Sequence, residues 1–337
     1  MKKRNHVIKA FTVIGCYALA ACTNEEFIDP SKEDNFTDGT PYITKVLDYC
    51  PAPGQFVNTM PEYEEGDTEE TMKAKVLEAI GNNNRGLITL GGFGGYITVG
   101  FDHTIENKPD MRDFRILGNS FAAAGGVTQD GSCEAGVIQV AYDANKNGTA
   151  DADEWYEIAG SAHTGTETWY ETVKEAGNDT NLYPDYEMTY YRPETEEYAP
   201  LEEYIRWEAN QGIVKAGYKA KNKYHKQPYY PQWITDNKMT FKGTCLPQNG
   251  MDKSRQGTNY IQYQFAYGYA DNAANNTDGS TIDIDWAVDK EGNPVQLPGV
   301  DFIRIHTGVN QENGWLGECS TEIMGIEDLH LLNQENN

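Results

Sequence analysis

The residues with the clearest chemical pattern occupy the twelve-residue stretch from Asp143 to Glu154. Oxygen-bearing residues recur along it at the positions that a Ca²⁺ loop of the EF-hand type requires, namely Asp143, Asn145, Asn147, Thr149, Asp151 and Glu154. Thr149 would offer its backbone carbonyl and the others their side chains, while Gly148 permits the sharp turn that brings the oxygens together. We therefore predict a Ca²⁺ site in this loop. The alternative is an Asn/Asp/Gly turn without a metal.

The segments beside this loop indicate what a bound ion would do. Val137 to Ala141 and Trp155 to Ile158 are strand-like, whereas a true EF-hand carries a helix on each side of its loop. We expect a loop that joins two β-strands and is stabilised by Ca²⁺, and not a sensor that opens on binding the ion.

A second candidate site lies in a long aromatic segment. Ten Tyr and two Trp fall between Tyr183 and Trp233, and amphipathic aromatic side chains suit flat ligands or sugar faces. Basic residues are concentrated between Lys215 and Lys226. We predict ligand contacts from Tyr204, Trp207, Tyr229, Tyr230 and Trp233. Trp207 and Trp233 are expected to be the most exposed, and the alternative for every one of these residues is a place in the core.

The charge balance limits the classes of partner. The 337 residues include 27 Lys+Arg and 52 Asp+Glu, which gives a formal net charge of −25. Such acidity repels phosphate groups and argues against nucleic acid as the main partner. Catalysis is not predicted, because the six His show no metal-ligand spacing and no Gly-x-Ser-x-Gly motif occurs. A glycosidase pair hidden among the many carboxylates stays open as an alternative.

The N-terminus predicts export. Positive charges in Met1–Arg4 precede an apolar run from about Ala10 to Ala21, which is too short for a stable membrane span and has the layout of a signal peptide. Leu19-Ala20-Ala21-Cys22 resembles the lipobox of bacterial lipoproteins. The resemblance implies a signal peptide over residues 1–21, acylation of Cys22 as the only membrane anchor, and a flexible tether over residues 22–40. Thr23-Asn24-Glu25-Glu26 resembles the surface-export signal of Bacteroidetes-type lipoproteins and implies the exterior face of the outer membrane.

Four further cysteines follow in the body of the chain, Cys50, Cys133, Cys245 and Cys319. In an exported protein they can form disulfides in three pairings, among which the sequence does not choose. Free buried thiols are the alternative.

The elements that must position these residues are mainly β-strands. One helix is predicted from Thr68 to Ile80, with apolar residues on one face and acidic residues in its first turn. The remaining patterns predict many short strands, among them Tyr96 to Phe101, Phe302 to Ile305 and Ile282 to Trp286. No internal repeat supports a propeller. We expect a β-sandwich or jelly roll over residues 41–337, with an aromatic-rich insertion over about 160–238.

Two strings resemble a recurring bacterial secreted domain, the galactose-binding-like jelly roll. They are the segment Gly94 to Asp102 and the segment Asp113 to Phe121, and the segments Leu297 to Phe302 and Gly325 to Leu329 are also similar to it. The combination of lipobox, jelly roll, calcium loop and aromatic insertion resembles a group of Bacteroidetes surface lipoproteins, some of which accompany corrinoid uptake systems.

This resemblance implies capture of a small nutrient, such as vitamin B12, for a TonB-dependent outer-membrane transporter. A carbohydrate-binding module of a glycan-utilisation system is the alternative that the same fold and the same aromatic residues suggest. A hydrolase is a third hypothesis, from another class.

Overall fold

The computed structural model of the chain describes residue 36 and residues 38–122, 130–165, 167–196 and 201–335. For residues 333–335 it describes the backbone without the side chains. The predicted signal peptide, Cys22 and all but residues 36 and 38–40 of the predicted tether lie outside these residues. Within the described part, 37% of the protein is strand and 12% is helix. The prediction of a mainly β protein is confirmed.

The helices are α1 (Glu69–Ile80), α2 (Tyr170–Glu175) and α3 (Leu329–Glu335). The strands in chain order are β1 (Lys45–Cys50), β2 (Ile88–Thr89), β3 (Tyr96–Glu106), β4 (Phe114–Leu117), β5 (Phe121–Ala122), β6 (Asp130–Ser132), β7 (Gly136–Ala141), β8 (Trp155–Ile158), β9 (Tyr183–Tyr191), β10 (Leu201–Ala209), β11 (Ala216–Lys221), β12 (Lys238–Cys245), β13 (Gly250–Asp252), β14 (Tyr260–Tyr263), β15 (Thr281–Ile282), β16 (Ala287–Val288), β17 (Gly299–Thr307), β18 (Glu322–Ile323) and β19 (Gly325–Asp328). Short 3₁₀ turns occur at Ser161–Thr164, Asp278–Ser280, Ile284–Trp286 and Gly314–Leu316.

The largest sheet has the strand order β1-β3-β17-β7-β8-β16, and its strands pair antiparallel. In its centre, Ile303 of β17 pairs with Val99 on one side and with Val140 on the other. Apolar side chains of these strands share one core with β4, β19 and α1, to which Met72, Val76 and Ile80 contribute. The helix and the three-stranded sheet β15-β4-β19 therefore pack with the large sheet around a common interior.

The predicted helix is confirmed, and its first residue follows from local chemistry. Thr68 is the N-cap: its side chain accepts a hydrogen bond from the Thr71 amide, and the Thr71 hydroxyl accepts one from the Thr68 amide. Such a reciprocal arrangement satisfies two amides that the first turn leaves without partners. Glu69 and Glu70 add favourable charge at the same end.

The other sheets are small, with the orders β11-β10-β9-β12, β13-β14-β6-β5 and β18-β2. The described sheets are thus antiparallel and have two to six strands each, and their strand orders do not confirm a jelly roll. A jelly-roll topology stays a prediction.

The prediction of a strand from Ile282 to Trp286 is correct for Ile282 and wrong for the residues that follow it. Strand β15 ends at Ile282, and Ile284–Trp286 forms a 3₁₀ turn. Asp283 caps this turn by accepting a hydrogen bond from the Asp285 amide, and Asp113 Oδ2 accepts one from the Ile284 amide. Local side-chain acceptors thus replace the partners that a sheet would supply.

Candidate functional site

The predicted Ca²⁺ loop joins β7 to β8, which form an antiparallel hairpin. Ala141 pairs with Trp155 at the base of the loop, as the strand-like flanks predicted. Gly148 has a φ of 80°, a value that a glycine adopts without steric cost. The loop is thus an inter-strand connection, and the true EF-hand arrangement of two helices is absent from this described segment.

The side chains of the loop turn inward and fix its shape. The two oxygens of Asp143 accept hydrogen bonds from the amides of Asn147, at 3.0 Å, and Gly148, at 2.7 Å. Glu154 spans the loop, because its Oε1 accepts from the Ala144 amide and its Oε2 from the Asp151 amide, both at 3.0 Å. Glu154 at position 12 therefore reaches back to Ala144, the residue that follows Asp143 at position 1.

Asp151 completes this arrangement. Its Oδ2 accepts hydrogen bonds from the side-chain amides of Asn145, at 2.9 Å, and Asn147, at 2.7 Å, which lower the pKa of Asp151. The Thr149 hydroxyl and amide both donate to Asn147 Oδ1. The loop thus contains three carboxylates and two amide side chains, but Asp143, Asp151 and Glu154 are not among the carboxylates that the structure brings within 4.8 Å of one another in its described part. An oxygen-only set of this composition fits a hard divalent cation such as Ca²⁺.

The predicted aromatic site is mostly interior. Tyr204, Tyr229, Tyr230 and Trp233 are all buried, and Trp233 is only 7% exposed. The exposure expected of Trp233 is therefore wrong: its ring stacks with Tyr49, at a centroid distance of 6.1 Å, and with Tyr63, at 6.2 Å. Tyr204, Tyr229 and Tyr230 belong to the core beside the four-stranded sheet of the insertion, whereas Trp233 belongs to the main core of the large sheet.

Individual contacts show why the three tyrosines are buried. The Tyr204 and Tyr229 rings meet edge to face at 5.4 Å, and the Tyr230 hydroxyl donates to the Asp236 carbonyl at 2.9 Å. Each polar tip thus has an internal partner. Trp207 is half-buried and lines a groove of about 200 Å³ with Asp179, Tyr183 and Val214. Of the predicted ligand residues, Trp207 alone keeps a place on a groove among the residues described.

The basic segment is also partly interior. Lys219 and Lys221 are buried, whereas Lys215, Lys223 and Lys226 are exposed. Lys219 Nζ lies 2.8 Å from Glu312 Oε1, and Lys221 Nζ lies 4.7 Å from the centre of the Tyr204 ring. The cationic surface expected between Lys215 and Lys226 is therefore smaller than the sequence predicts.

A site that the sequence did not predict lies elsewhere, in an open cavity of about 420 Å³ that we call the acidic cleft. It brings together residues far apart in the chain: Gln55, Phe56, Ser132, Glu134, Tyr224, His225, Gln262, Asn313, Trp315, Leu316, Glu318, Ser320 and Glu322. Neither Lys nor Arg is among these described lining residues. Polar and aromatic side chains thus share one concave surface.

Carboxyl groups form the floor of the acidic cleft. Carboxylate oxygens of Glu134 and Glu322 and of Asp271 beside them all lie within 4.8 Å of one another. Asp271 is held in place because its Oδ1 accepts from the amides of Asn119 and Ser120, each at 2.9 Å. Its Oδ2 accepts from the Glu322 amide at 3.0 Å. The backbone therefore fixes the cluster.

Burial governs the titration of this cluster. It raises the pKa of Glu134 to about 7, although the Ser320 amide, 3.1 Å from Glu134 Oε1, favours the ionised form. Burial and repulsion from Glu134 raise the pKa values of Asp271 and Glu322 well above their ordinary range. Desolvation and like charges both disfavour a second and third negative charge at such short distances.

Aromatic rings form the rim of the acidic cleft. Trp315 is 52% exposed and Tyr224 is 63% exposed, which is unusual for such large side chains. Phe56 meets His225 edge to face at a centroid distance of 4.7 Å, and burial lowers the pKa of His225, so this ring is neutral at pH 7. The rim therefore offers ring faces, and the ammonium group of Lys223 lies 4.9 Å from the centre of the Tyr224 ring.

The turn that carries Trp315 is rigidly defined. Gly314 has a φ of 58° and Gly317 a φ of 93°, and a Cβ on Gly317 would lie 2.7 Å from Gln55 Oε1. Gln55 also donates from its side chain to the Leu316 carbonyl at 2.7 Å and from its amide to Glu318 Oε1 at 2.6 Å. Trp315 is thus presented by a fixed turn, and its exposure is a feature of the fold.

The residue types alone do not indicate this site. Asp283, Asp285, Glu322 and Glu327 are acidic residues of one stretch of sequence that could line a metal or ligand site, but the structure groups only Glu322 with other carboxylates, those of Glu134 and Asp271. Asp283 instead pairs with Arg112 at 2.6 Å, and Glu327 with Arg85 at 2.5 Å. The usable signal was Trp315, a tryptophan between two glycines in a polar segment.

The four cysteines of the body, Cys50, Cys133, Cys245 and Cys319, are free thiols. Burial raises the pKa of Cys133 and of Cys245 to about 12, so these thiols are protonated and unreactive at neutral pH. The disulfide alternative is not seen in this structure.

No family model matches the sequence, and no curated protein matches it. Within the described residues, no helix combines the length and the apolar character that a membrane span needs.

Proposed function

We propose that this chain is a lipid-anchored cell-surface protein that binds a small organic ligand in the acidic cleft and passes it to a TonB-dependent outer-membrane transporter. The observation that carries the proposal is the cleft itself: an open cavity with two exposed aromatic rings above fixed polar groups. Concave sites with apolar faces and a few oriented polar groups are typical of ligand binding.

The size of the cleft limits the ligand. About 420 Å³ suits one sugar ring or one similarly small group. A corrinoid such as vitamin B12 is larger than this, so only part of its periphery would enter. The carbohydrate-binding alternative is favoured by one further observation: Trp315 and Tyr224 offer ring faces beside the amides of Asn313 and Gln262, a combination that suits a polar ring with apolar faces.

In this proposal Ca²⁺ has a structural role. Asp143, Asn145, Asn147, Thr149, Asp151 and Glu154 would hold the ion and keep β7 and β8 joined at the loop end of their hairpin. Glu134 of the acidic cleft precedes β7 at the opposite end of that strand. The ion would therefore stabilise the sheet without touching the ligand.

The proposal also includes the cellular location, which is the exterior face of the outer membrane. It is supported by the lipobox at Leu19 to Cys22 and by the acidic pair Glu25-Glu26. The jelly roll is supported by the shared core of the large sheet and the sheet β15-β4-β19. We propose binding without catalysis, with the hydrolase hypothesis as an outcome of the test below.

The test uses the full chain with Cys22→Ala, so that no lipid is attached, and measures binding by isothermal titration calorimetry. Cyanocobalamin and a panel of monosaccharides and disaccharides are the probes. We expect at least one probe to bind, and Trp315→Ala to weaken that binding at least tenfold because it removes the main ring face. Product formation from a disaccharide would instead support the hydrolase hypothesis.

Trp207→Ala separates the two concave surfaces. If Trp207→Ala abolishes binding while Trp315→Ala does not, the ligand occupies the groove beside Trp207 and the assignment to the acidic cleft is wrong. Absence of binding by every probe, including the amines described in the next subsection, would refute the proposed function. The melting temperature of each variant shows whether it is folded.

A further inference from the structure

The chemical character of the acidic cleft points to one class of ligand. Its floor carries Glu134, Glu318 and Glu322, with Asp271 directly beside them, and no Lys or Arg is among the described residues that line it. The only basic side chain in the lining is His225, which burial keeps neutral at pH 7. The described lining therefore carries acidic groups and no Lys or Arg, while Lys219 lies close enough behind it to interact electrostatically with Glu318.

The carboxyl groups are satisfied only in part by hydrogen bonds. Glu134 Oε1 accepts from the Ser320 amide, and Glu322 Oε1 accepts from the hydroxyls of Ser320, at 2.8 Å, and Thr89, at 3.2 Å. These neutral donors orient the carboxyls, and burial raises the pKa values of Glu134 and Glu322, so full ionisation of the cluster requires a positively charged partner. Buried charges are ordinarily paired or bind a cation.

A second observation is independent of the acidic groups. Asn313 lines the cleft and is only 2% exposed, yet its Oδ1 has no hydrogen-bond partner among the described residues. A buried acceptor without a partner is costly, and a ligand that donates N–H groups would remove this cost.

The rim adds a third observation, which separates organic cations from metal ions. A metal ion would use the oxygens of the floor and leave the exposed rings of Trp315 and Tyr224 without a role. An organic ammonium ion uses both, because aromatic faces attract cations and also cover apolar carbon. Carboxylates combined with ring faces therefore match a positively charged amine on a carbon skeleton.

We propose that the acidic cleft binds an organic ammonium ion, with the amine against Glu134 and Glu322 and the carbon skeleton against Trp315 and Tyr224. The inference rests on the proposed function, since it names the ligand class of the same site. Amino sugars, polyamines and quaternary ammonium compounds share this chemistry. Neutral sugars and cyanocobalamin do not.

The experiment compares charged probes with neutral counterparts on the full chain with Cys22→Ala, by calorimetry at pH 7.5 and low salt. The pairs are glucosamine against glucose, choline against 3,3-dimethyl-1-butanol, and spermidine against an uncharged polyether of similar length. We expect at least one amine to bind tenfold or more tightly than its counterpart. The preference should diminish at high salt.

Variants locate the effect. Glu134→Gln should weaken binding of that amine at least tenfold, whereas Glu202→Gln, which removes an exposed carboxylate on β10, should leave it within twofold. Trp315→Ala should also weaken it, which a site for metal alone would not show. MgCl₂ and CaCl₂ are titrated separately as metal-only probes.

The outcomes distinguish the two proposals. Binding of a neutral sugar or cyanocobalamin with no preference for amines, but with sensitivity to Trp315→Ala, would overturn the ammonium inference and leave the proposed function standing. Tight Mg²⁺ or Ca²⁺ binding lost in Glu134→Gln, with no amine binding, would make the cleft a metal site and overturn the inference. Absence of binding by all probes would overturn both proposals.

Discussion

Replacing Glu134 with Gln should stabilise the protein in a way that depends on pH. Burial raises the pKa of this carboxyl from its ordinary 4.5 to about 7, so the folded state keeps a proton that the unfolded state loses above pH 4.5. Between these two values the folded state binds more protons, and the free energy of unfolding therefore falls as the pH rises. Glutamine has a similar shape and does not ionise, so the variant escapes this loss.

The size of the effect follows from the pKa. One pKa unit corresponds to about 1.4 kcal/mol, so a pKa of about 7 instead of 4.5 sets an upper limit of roughly 3 kcal/mol above pH 7. At pH 5 most of this loss has not yet occurred. We expect the stability gain of Glu134→Gln over the unsubstituted chain to increase by about 2 kcal/mol between pH 5 and pH 8.

Urea denaturation followed by tryptophan fluorescence measures this gain at the two pH values. Saturating CaCl₂ is present in both, because Glu154 of the predicted Ca²⁺ loop also has a raised pKa, chiefly through burial. Glu202→Gln on β10 is the matched control, since its carboxylate is exposed. An equal gain at pH 5 and pH 8, or a gain that shrinks with rising pH, would show that the carboxyl cluster is not held as described.

Three further predictions concern the other sites. In the unsubstituted chain EDTA should lower the melting temperature, and CaCl₂ at 100 times its Kd should restore about 3 kcal/mol of the free energy of unfolding. Glu154→Gln removes the carboxylate that spans the loop and should lose most of this response. Equal calcium responses of the two proteins would argue against the predicted site. Trp233→Ala should lower the free energy of unfolding by roughly 3–5 kcal/mol in urea denaturation, as expected for a buried ring. The folded fraction of this variant should bind any cleft ligand with a Kd within twofold of the unsubstituted chain. Loss of binding with unchanged stability would instead make Trp233 a ligand residue. Thr68→Ala should lower the free energy of unfolding, measured in the same way, by about 1 kcal/mol because it removes the N-cap. Thr258→Ala, in an exposed loop, is its control. Equal stability of the two variants would contradict the capping interaction.

Features with a local cause were predictable from the sequence. The helix from Thr68 is encoded by its own cap and by the spacing of Met72, Val76 and Ile80. The hairpin around the Ca²⁺ loop follows from two alternating segments and a glycine between them. In both cases neighbouring residues supply the interactions, so a single stretch of sequence contains the information.

Features that depend on distant partners were not predictable in the same way. The aromatic residues of the insertion looked suited to a ligand, but the sheet β11-β10-β9-β12 has no other apolar interior and therefore takes Tyr229 and Tyr230 into its core. The acidic cleft brings together Gln55, Glu134 and Glu322, and no local sequence pattern around any of these residues predicts that they lie close in space. Charge alone does not distinguish a solvated carboxylate from one held beside two more.

The central sheet cannot close until strand β17 has been made. Strand β17 lies between β3 and β7, and Ile303 pairs with Val99 about 200 residues earlier. Until Gly299–Thr307 is available, both neighbouring strands have an open edge, and contacts this distant in sequence form slowly. A chain shortened before Gly299 should therefore fail to fold and should aggregate through these edges. In the export proposed above, the same delay would keep the chain extended while it crosses a membrane.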